Sequence, residues 1–205
     1  MRCISPAILL FLFASCNEKQ PGSVAQGSTD SSWTLSGFVK VDSLNPILQP
    51  DGTQSFYCPL RRDSVAWEGR NVLNPSAVVR DGKVYLLYRA QDAQMTSRLG
   101  LAVSTDGLHF RKGATPVLYP GSDSMKKYEW PGGVEDPRVV ESEDGTYVLT
   151  YTSYDGKVAR LCLATSRDLQ TWTKHGLVLA DEKYRDTWSK SGAIVSKLVG
   201  NKVVA

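Results

Sequence analysis

The sequence predicts an all-β fold built from repeated four-stranded units, the arrangement of propeller blades. Three observations predict it. Blocks of sequence recur 62 residues apart, each block carries its hairpin and strand signals in the same order, and no stretch follows the 3.6-residue period of an amphipathic helix.

The first strand of the unit is Asn74-Pro75-Ser76-Ala77-Val78-Val79, matched by Asp136-Pro137-Arg138-Val139-Val140-Glu141. A turn at Asp81-Gly82 joins it to a second strand, and Asp144-Gly145 does the same with one residue inserted. Asp-Gly between apolar runs is the strongest short-range hairpin signal. The third strand is Leu99-Gly100-Leu101-Ala102-Val103-Ser104, repeated as Leu161-Cys162-Leu163-Ala164-Thr165-Ser166. A fourth follows the Ser-x-Asp turns that begin at Ser104 and Ser166 and end on Phe110 and Trp172. A third copy opens at Lys190-Ser191-Gly192-Ala193-Ile194-Val195 and runs to Ala205. Propellers close a ring of such blades. Trp33–Arg70 is therefore expected to supply closing strands. Residues 33–205 are expected to be the front part of a longer propeller domain, about two and a half blades of it.

Ahead of the repeats, Arg2 precedes the apolar run Ala7–Phe13, followed by Ala14-Ser15-Cys16. Residues 1–16 have the layout of a secretory signal, with an apolar part too short to span a bilayer. Small residues before a cysteine resemble a bacterial lipobox, although Phe13 stands where Leu is usual. The expectation is an exported protein lipidated on Cys16 and held at a bacterial membrane, periplasmic or on the cell surface, without a spanning helix. A plain cleaved signal with an incidental cysteine is the alternative. Residues 17–32 are polar and small, a flexible tether. Of the four cysteines, Cys58 and Cys162 remain after Cys3 and Cys16. Their spacing suits no metal, and Cys162 lies in an apolar strand, so buried free thiols are expected. Hydrophobic residues at 41% and charged residues at 22% suit an ordinary globular domain. The net charge of +3 is dispersed, with no basic run, which argues against a nucleic-acid partner.

Innermost strands of successive blades line a common axis, so equivalent positions face one space. The residue opening each repeat is Asn74, then Asp136, then Lys190, all polar at the head of apolar strands. An amide, a carboxyl and an ammonium together suit a hydroxyl-rich ligand, whereas each alone would be read as a loop cap. Arg89 ends the second strand and requires an anionic partner, which is a ligand oxygen or an acid such as Asp92. The loop Tyr128-Glu129-Trp130-Pro131-Gly132-Gly133-Val134-Glu135 brings aromatic rings beside a carboxyl, and Trp130 suits the apolar face of a pyranose or, equally, blade packing. Strand alternation sends Glu135 and Asp136 to opposite faces, leaving Asp136 as the site residue and Glu135 as support.

Asn74-Pro75-Ser76, Tyr88-Arg89-Ala90, Arg98–Ser104 and above all Gly133-Val134-Glu135-Asp136-Pro137-Arg138 resemble glycoside hydrolase family 130. The resemblance implies a five-bladed propeller acting on β-mannosides of oligosaccharides, as a hydrolase or a phosphorylase. It implies Asp136 as the catalytic proton donor, with Asn74, Ser76 and Arg89 holding the sugar on the non-reducing side of the cleaved bond. No metal or cofactor is implied; inorganic phosphate is the co-substrate if the enzyme is a phosphorylase. Inversion requires a nucleophile on the opposite face of the ring, either phosphate or water activated by a second carboxylate about 6.5–9.5 Å away. Family phosphorylases carry an arginine in an Asn-Arg-Asp-like segment at the head of the third blade. Here that segment is Ser189-Lys190-Ser191-Gly192, and one lysine is a point charge rather than a bidentate fork. Together with export, this favours the hydrolase, with its base expected beyond Ala205. Two rivals stay open: a non-catalytic sugar-binding propeller, which would not need Asp136, and another five-bladed glycosidase clan of the arabinan-cleaving type.

Overall fold

Each recurring apolar run is a strand. The computed structural model describes residues 37, 39–200 and 202–204, so the expected signal 1–16 with Cys16 and the tether 17–32 lie outside the described residues. Within Val41–Ala205, a short hairpin of β1 (Phe56–Cys58) and β2 (Asp63–Val65) precedes the repeats. The first blade is β3 (Asn71–Arg80), β4 (Lys83–Gln91), β5 (Ser97–Ser104) and β6 (Arg111–Lys112), paired antiparallel in that order. After a single helical turn, α1 (Lys126–Glu129), the second blade repeats the order with β7 (Gly133–Glu141), β8 (Tyr147–Tyr154), β9 (Ala159–Ser166) and β10 (Thr173–Leu177). A third begins with β11 (Lys197–Val199) and β12 (Lys202–Val204), and Val204 lies beside Glu141 of β7. The result is an open arc of propeller blades. Within the segment ahead of the repeats, β1 and β2 form a separate two-stranded sheet.

The turns follow from their residues. Asp81 and Gly82 both take positive φ, 50° and 70°, as a two-residue turn matched to strand twist requires. The inserted residue changes the second turn: only Gly145 has positive φ there, and its N–H donates to Ser142 O. The two Ser-x-Asp turns are alike atom for atom. Ser104 Oγ accepts from Gly107 N while Asp106 Oδ1 accepts from Leu108 N and His109 N. Ser166 Oγ and Asp168 Oδ1 make the same bonds to Leu169 N and to Gln170 N and Thr171 N.

Side chains alternate between two cores. Leu86 and Tyr88 on one face of β4 pack with Phe56, Cys58, Val65 and Trp67 of the leading hairpin. Leu87 on the other face packs with Leu99, Leu101 and the second blade's Val134, Leu149 and Tyr151. Both faces of a blade are thus covered, so β5 is buried almost throughout instead of every second residue. Each fully buried leucine contributes roughly 1.5–3 kcal/mol. Cys58 and Cys162 are buried free thiols, and burial pushes Cys162 up to about 11, which keeps it an unreactive thiol.

Each blade also carries a polar latch. Lys112 of β6 donates to Glu68 Oε1 at 2.7 Å, and Glu68 Oε2 accepts from Tyr88 of β4 at 2.9 Å. In the second blade Lys174 of β10 donates to Glu129 Oε2, and Glu129 Oε1 accepts from Tyr151 of β8 at 2.9 Å. Both glutamates are fully buried, and Lys112 and Lys174 also donate to the backbone of the lead-in segment at Gln49 and Tyr119. The outermost strand of each blade is thereby tied to the chain that leads into the innermost one.

Candidate active site

Asn74 and Asp136 sit at the same defect in two inner strands. The register of β3 against β4 slips between Leu73 and Ser76, and that of β7 against β8 slips between Glu135 and Arg138. At each slip two residues, Asn74-Pro75 or Asp136-Pro137, oppose one residue of the partner strand, which is a β-bulge. Proline has no N–H to lose from the ladder there. Asn74 and Asp136 both take φ of 48°, a left-handed conformation that Asn and Asp tolerate better than other non-glycine residues.

The bulge overturns the alternation expected of Glu135 and Asp136. Both carboxylates reach the same guanidinium. Arg89 Nη2 donates to Glu135 Oε1 at 2.7 Å, Nη1 donates to Asp136 Oδ1 at 3.1 Å, and Nε donates to Ser97 Oγ at 3.0 Å. Asn74 Nδ2 also donates to Asp136 Oδ1, at 2.5 Å. Asp136 is 6% exposed and Glu135 8%, while Asn74 lies at the open side. Asp136 Oδ2 has no hydrogen bond to a described residue, so one oxygen is fixed by two donors and the other is available. Burial pushes Glu135 above the usual carboxylate range; Arg89 opposes this, the neighbouring Asp136 charge adds to it, and Lys190 also lowers it. Arg89 does not pair with Asp92, which instead binds Arg98 at 2.9 Å and Arg61 at 3.3 Å.

Lys190 does not occupy the position of Asn74 and Asp136. Ser191 does, with φ of 56°. Ser189 N–H donates to Ala159 O, and Ala159 is the counterpart of Ser97, which faces Gly133 in parallel pairing. Trp188 thus stands where Gly133 stands, and Ser191, like Asp136, follows three residues later. Lys190 corresponds to Glu135 and acts on it through space.

Two other expected site residues are placed by packing. Ser76 Oγ accepts the N–H of Val139 at 3.1 Å and ties the two inner strands together. Trp130 is half-buried against the Phe56–Tyr88 core, with the Arg61 guanidinium 5.7 Å over its ring, and has no described contact with the Asn74–Arg89–Asp136 cluster. Gly133 shows why the approach to the site is glycine: at φ of 110°, a Cβ would lie 2.1 Å from Ser97 O. Glu135 was read as support but on the opposite face, and Pro137 inside a strand was the signal for the bulge that brings it beside Asp136. A groove between Ala77–Asp81 and Val139–Glu141 lies toward the far ends of β3 and β7 and includes none of these residues. Among the described residues no group of three or more His, Cys, Asp or Glu could hold a metal, and no helix is long and apolar enough to cross a membrane.

The inner strands of two successive blades thus present a clamped carboxylate pair and an amide at matching bulges, and known proteins supply the family. Residues 40–205 match the family described as beta-1,4-mannooligosaccharide phosphorylase, and the chain belongs to glycoside hydrolase family 130. A 1,2-beta-oligomannan phosphorylase of Thermoanaerobacter sp. strain X514 is 37% identical over 58% of this chain and 42% of its own length. A beta-1,2-mannobiose phosphorylase of the same strain is 30% identical over 67% of this chain and 47% of its own length. Among solved structures, a glycosyl hydrolase from Bacteroides ovatus is 46% identical with a TM-score of 0.81, covering 84% of this chain and 51% of that one. A structure reported with glycoside hydrolases of family 130 that target β-1,2-mannosidic linkages in Candida mannan is 45% identical with a TM-score of 0.81, covering 84% and 50%. The chain spans about half the length of these relatives.

Proposed function

We propose that the protein hydrolyses β-1,2-mannosidic linkages with inversion, Asp136 donating the proton to the departing glycosidic oxygen. The observation that carries this reading is the fixing of Asp136: Asn74 and Arg89 hold Oδ1, leaving Oδ2 to address a substrate. Asn74 at the open side and Arg89 behind it hold the sugar, and Ser76 retains its own O–H to donate. Glu135 is not the base, because carboxylates on two ends of one guanidinium cannot flank a ring from opposite faces at about 6.5–9.5 Å.

Two features favour water over phosphate as nucleophile. Arg89 directs three N–H groups at Glu135, Asp136 and Ser97, so its charge is already spent on carboxylates. Lys190, exposed and one residue away from the position of Asp136, gives a single point charge where phosphate capture favours several cations. The 45–46% identity to structures described as hydrolases also exceeds the 30–37% identity to the phosphorylases. The β-1,2 linkage is the one named for the two Thermoanaerobacter phosphorylases and for the hydrolases that target Candida mannan, whereas the family description names β-1,4.

The test is incubation of the full-length protein with β-1,2-mannobiose, with and without phosphate. Free mannose in both tubes, abolished by Asp136→Asn while binding persists, is the expected result. Mannose 1-phosphate formed only with phosphate would replace water by phosphate as nucleophile, and an active Asp136→Asn would remove Asp136 from the acid role. Export and acylation on Cys16 belong to the same proposal, supported by the sequence of residues 1–32. Labelled palmitate should be incorporated by the wild type and lost in Cys16→Ala, and label retained by that variant would discard the anchor.

A further inference from the structure

One buried arginine holds two segments that each present an aromatic ring. Arg160 Nη1 donates to Asp155 Oδ2 at 2.7 Å, Nη2 donates to Asp186 Oδ1 at 2.7 Å, and Nε donates to Arg185 O at 2.9 Å. Asp155 follows Tyr154 at the end of β8, and Asp186 lies two residues ahead of Trp188. On the other side of Trp188, the Ser189 N–H donates to Ala159 O and Ser189 Oγ accepts from Leu161 N. The centroids of the Tyr154 and Trp188 rings are 6.2 Å apart and their planes meet at 58°, which makes an open corner rather than a stack. Tyr154 is half-buried, and Gly132 lies so close to its ring that a Cβ there would come within 2.3 Å of Cδ1. Trp188 is 61% exposed. Among the described residues neither the Tyr154 hydroxyl nor the Trp188 indole N–H has a hydrogen-bond partner.

Blade packing does not require these rings. In the first blade Arg98 donates to Asp92 at 2.9 Å in the same way, yet the counterparts of Tyr154 and Trp188 there are Gln91 and Gly133. The corner also borders the site. Tyr154 faces Gly133, three residues ahead of Asp136, and Lys190, two residues after Trp188, acts on Glu135. Three strand residues span about 10 Å. The equivalent inner positions run Asn74, Asp136, Ser191, so the corner lies on the side of Asp136 away from Asn74. We propose that Tyr154 and Trp188 form a pyranose subsite on the leaving-group side of the cleaved bond. This rests on the proposed function, in which Asn74 and Arg89 hold the ring on the non-reducing side. A pyranose offers an apolar face of C–H groups to the indole, while the Tyr154 hydroxyl and the indole N–H are polar handles for its hydroxyls. Arg160 and Ser189 fix the backbone on both sides of Trp188 before a ligand arrives, so less ordering opposes binding.

The experiment compares kcat/KM for β-1,2-mannotriose with kcat/KM for β-mannosyl fluoride in the full-length protein. Fluoride is a leaving group that fills no sugar subsite, so the ratio of the two constants isolates what the leaving-group sugars contribute. Trp188→Ala should lower that ratio by about tenfold, and Trp188→Phe, which keeps an aromatic face, should hold it within about threefold of wild type. Tyr154→Ala should lower it in the same direction. A ratio unchanged in W188A overturns the subsite. So does a W188A variant that melts earlier and loses both substrates equally, since that is the behaviour of a packing residue. The underlying reading fails separately. If the wild-type protein turns over neither substrate, the proposed function itself falls; if it turns over both and the W188A ratio stays in place, only the aromatic corner does.

Discussion

Arg89 is both a site residue and a structural one. Its guanidinium is 15% exposed and compensates two carboxylates that are themselves nearly buried, at 10% and 7%. Replacing it by alanine leaves both without a cation, and losing one partner of a buried ion pair costs about 3–5 kcal/mol. Arg89→Ala should therefore lose sugar affinity and thermal stability together. A variant with wild-type melting and weakened binding would return Arg89 to a purely ligand-directed role. The sequence alone offered a ligand oxygen or Asp92 as its partner and separated Glu135 from Asp136 by alternation. Asn74, Arg89 and Asp136 were legible from their places in the repeat. The place of Glu135 beside Asp136 was not, because one bulge reverses which face a side chain occupies and the period-2 rule carries no mark of it beyond Pro137.

The strands and turns were legible because they recur: Asp81-Gly82 and the Ser-x-Asp turns fold as their residue types require. The latches were not, because Lys112, Glu68 and Tyr88 are scattered along the chain and each reads alone as an ordinary surface or core residue. They make a test of how a blade's outer strand is held. Glu129 is fully buried and raised above the usual carboxylate range by burial, with Lys174 opposing that shift. A carboxylate raised in the folded state favours folding when protonated, so its contribution is present in acid and is lost as pH rises through the folded pKa. Lys174→Met removes the opposing cation and raises Glu129 further. It should cost about 3–5 kcal/mol at neutral pH, with the loss shrinking as the solution is acidified. Thermal melts of K174M across that range check this, and a deficit independent of pH would mean that Lys174 contributes by packing alone.

For the molecule as a whole, the first two blades stack through apolar faces and meet edge to edge where Ser97 lies beside Gly133, and the second meets the next segment where Ser189 N–H donates to Ala159 O. The latches add a different kind of boundary. The three side chains of the first lie between Glu68 and Lys112, and those of the second, which include Asp123 as a further acceptor for Lys174, lie between Asp123 and Lys174, so neither latch borrows a side chain from the other blade. The stretch between Lys112 and Tyr119 is therefore where two related chains can be joined without separating either lysine from its acceptors in the same blade. A junction inside either latch would bring together partners from different parents, and a mismatch there would strand a buried charge. A chimaera joined in that stretch inherits each blade whole, and the bulge at Asp136 travels with the blade that holds it.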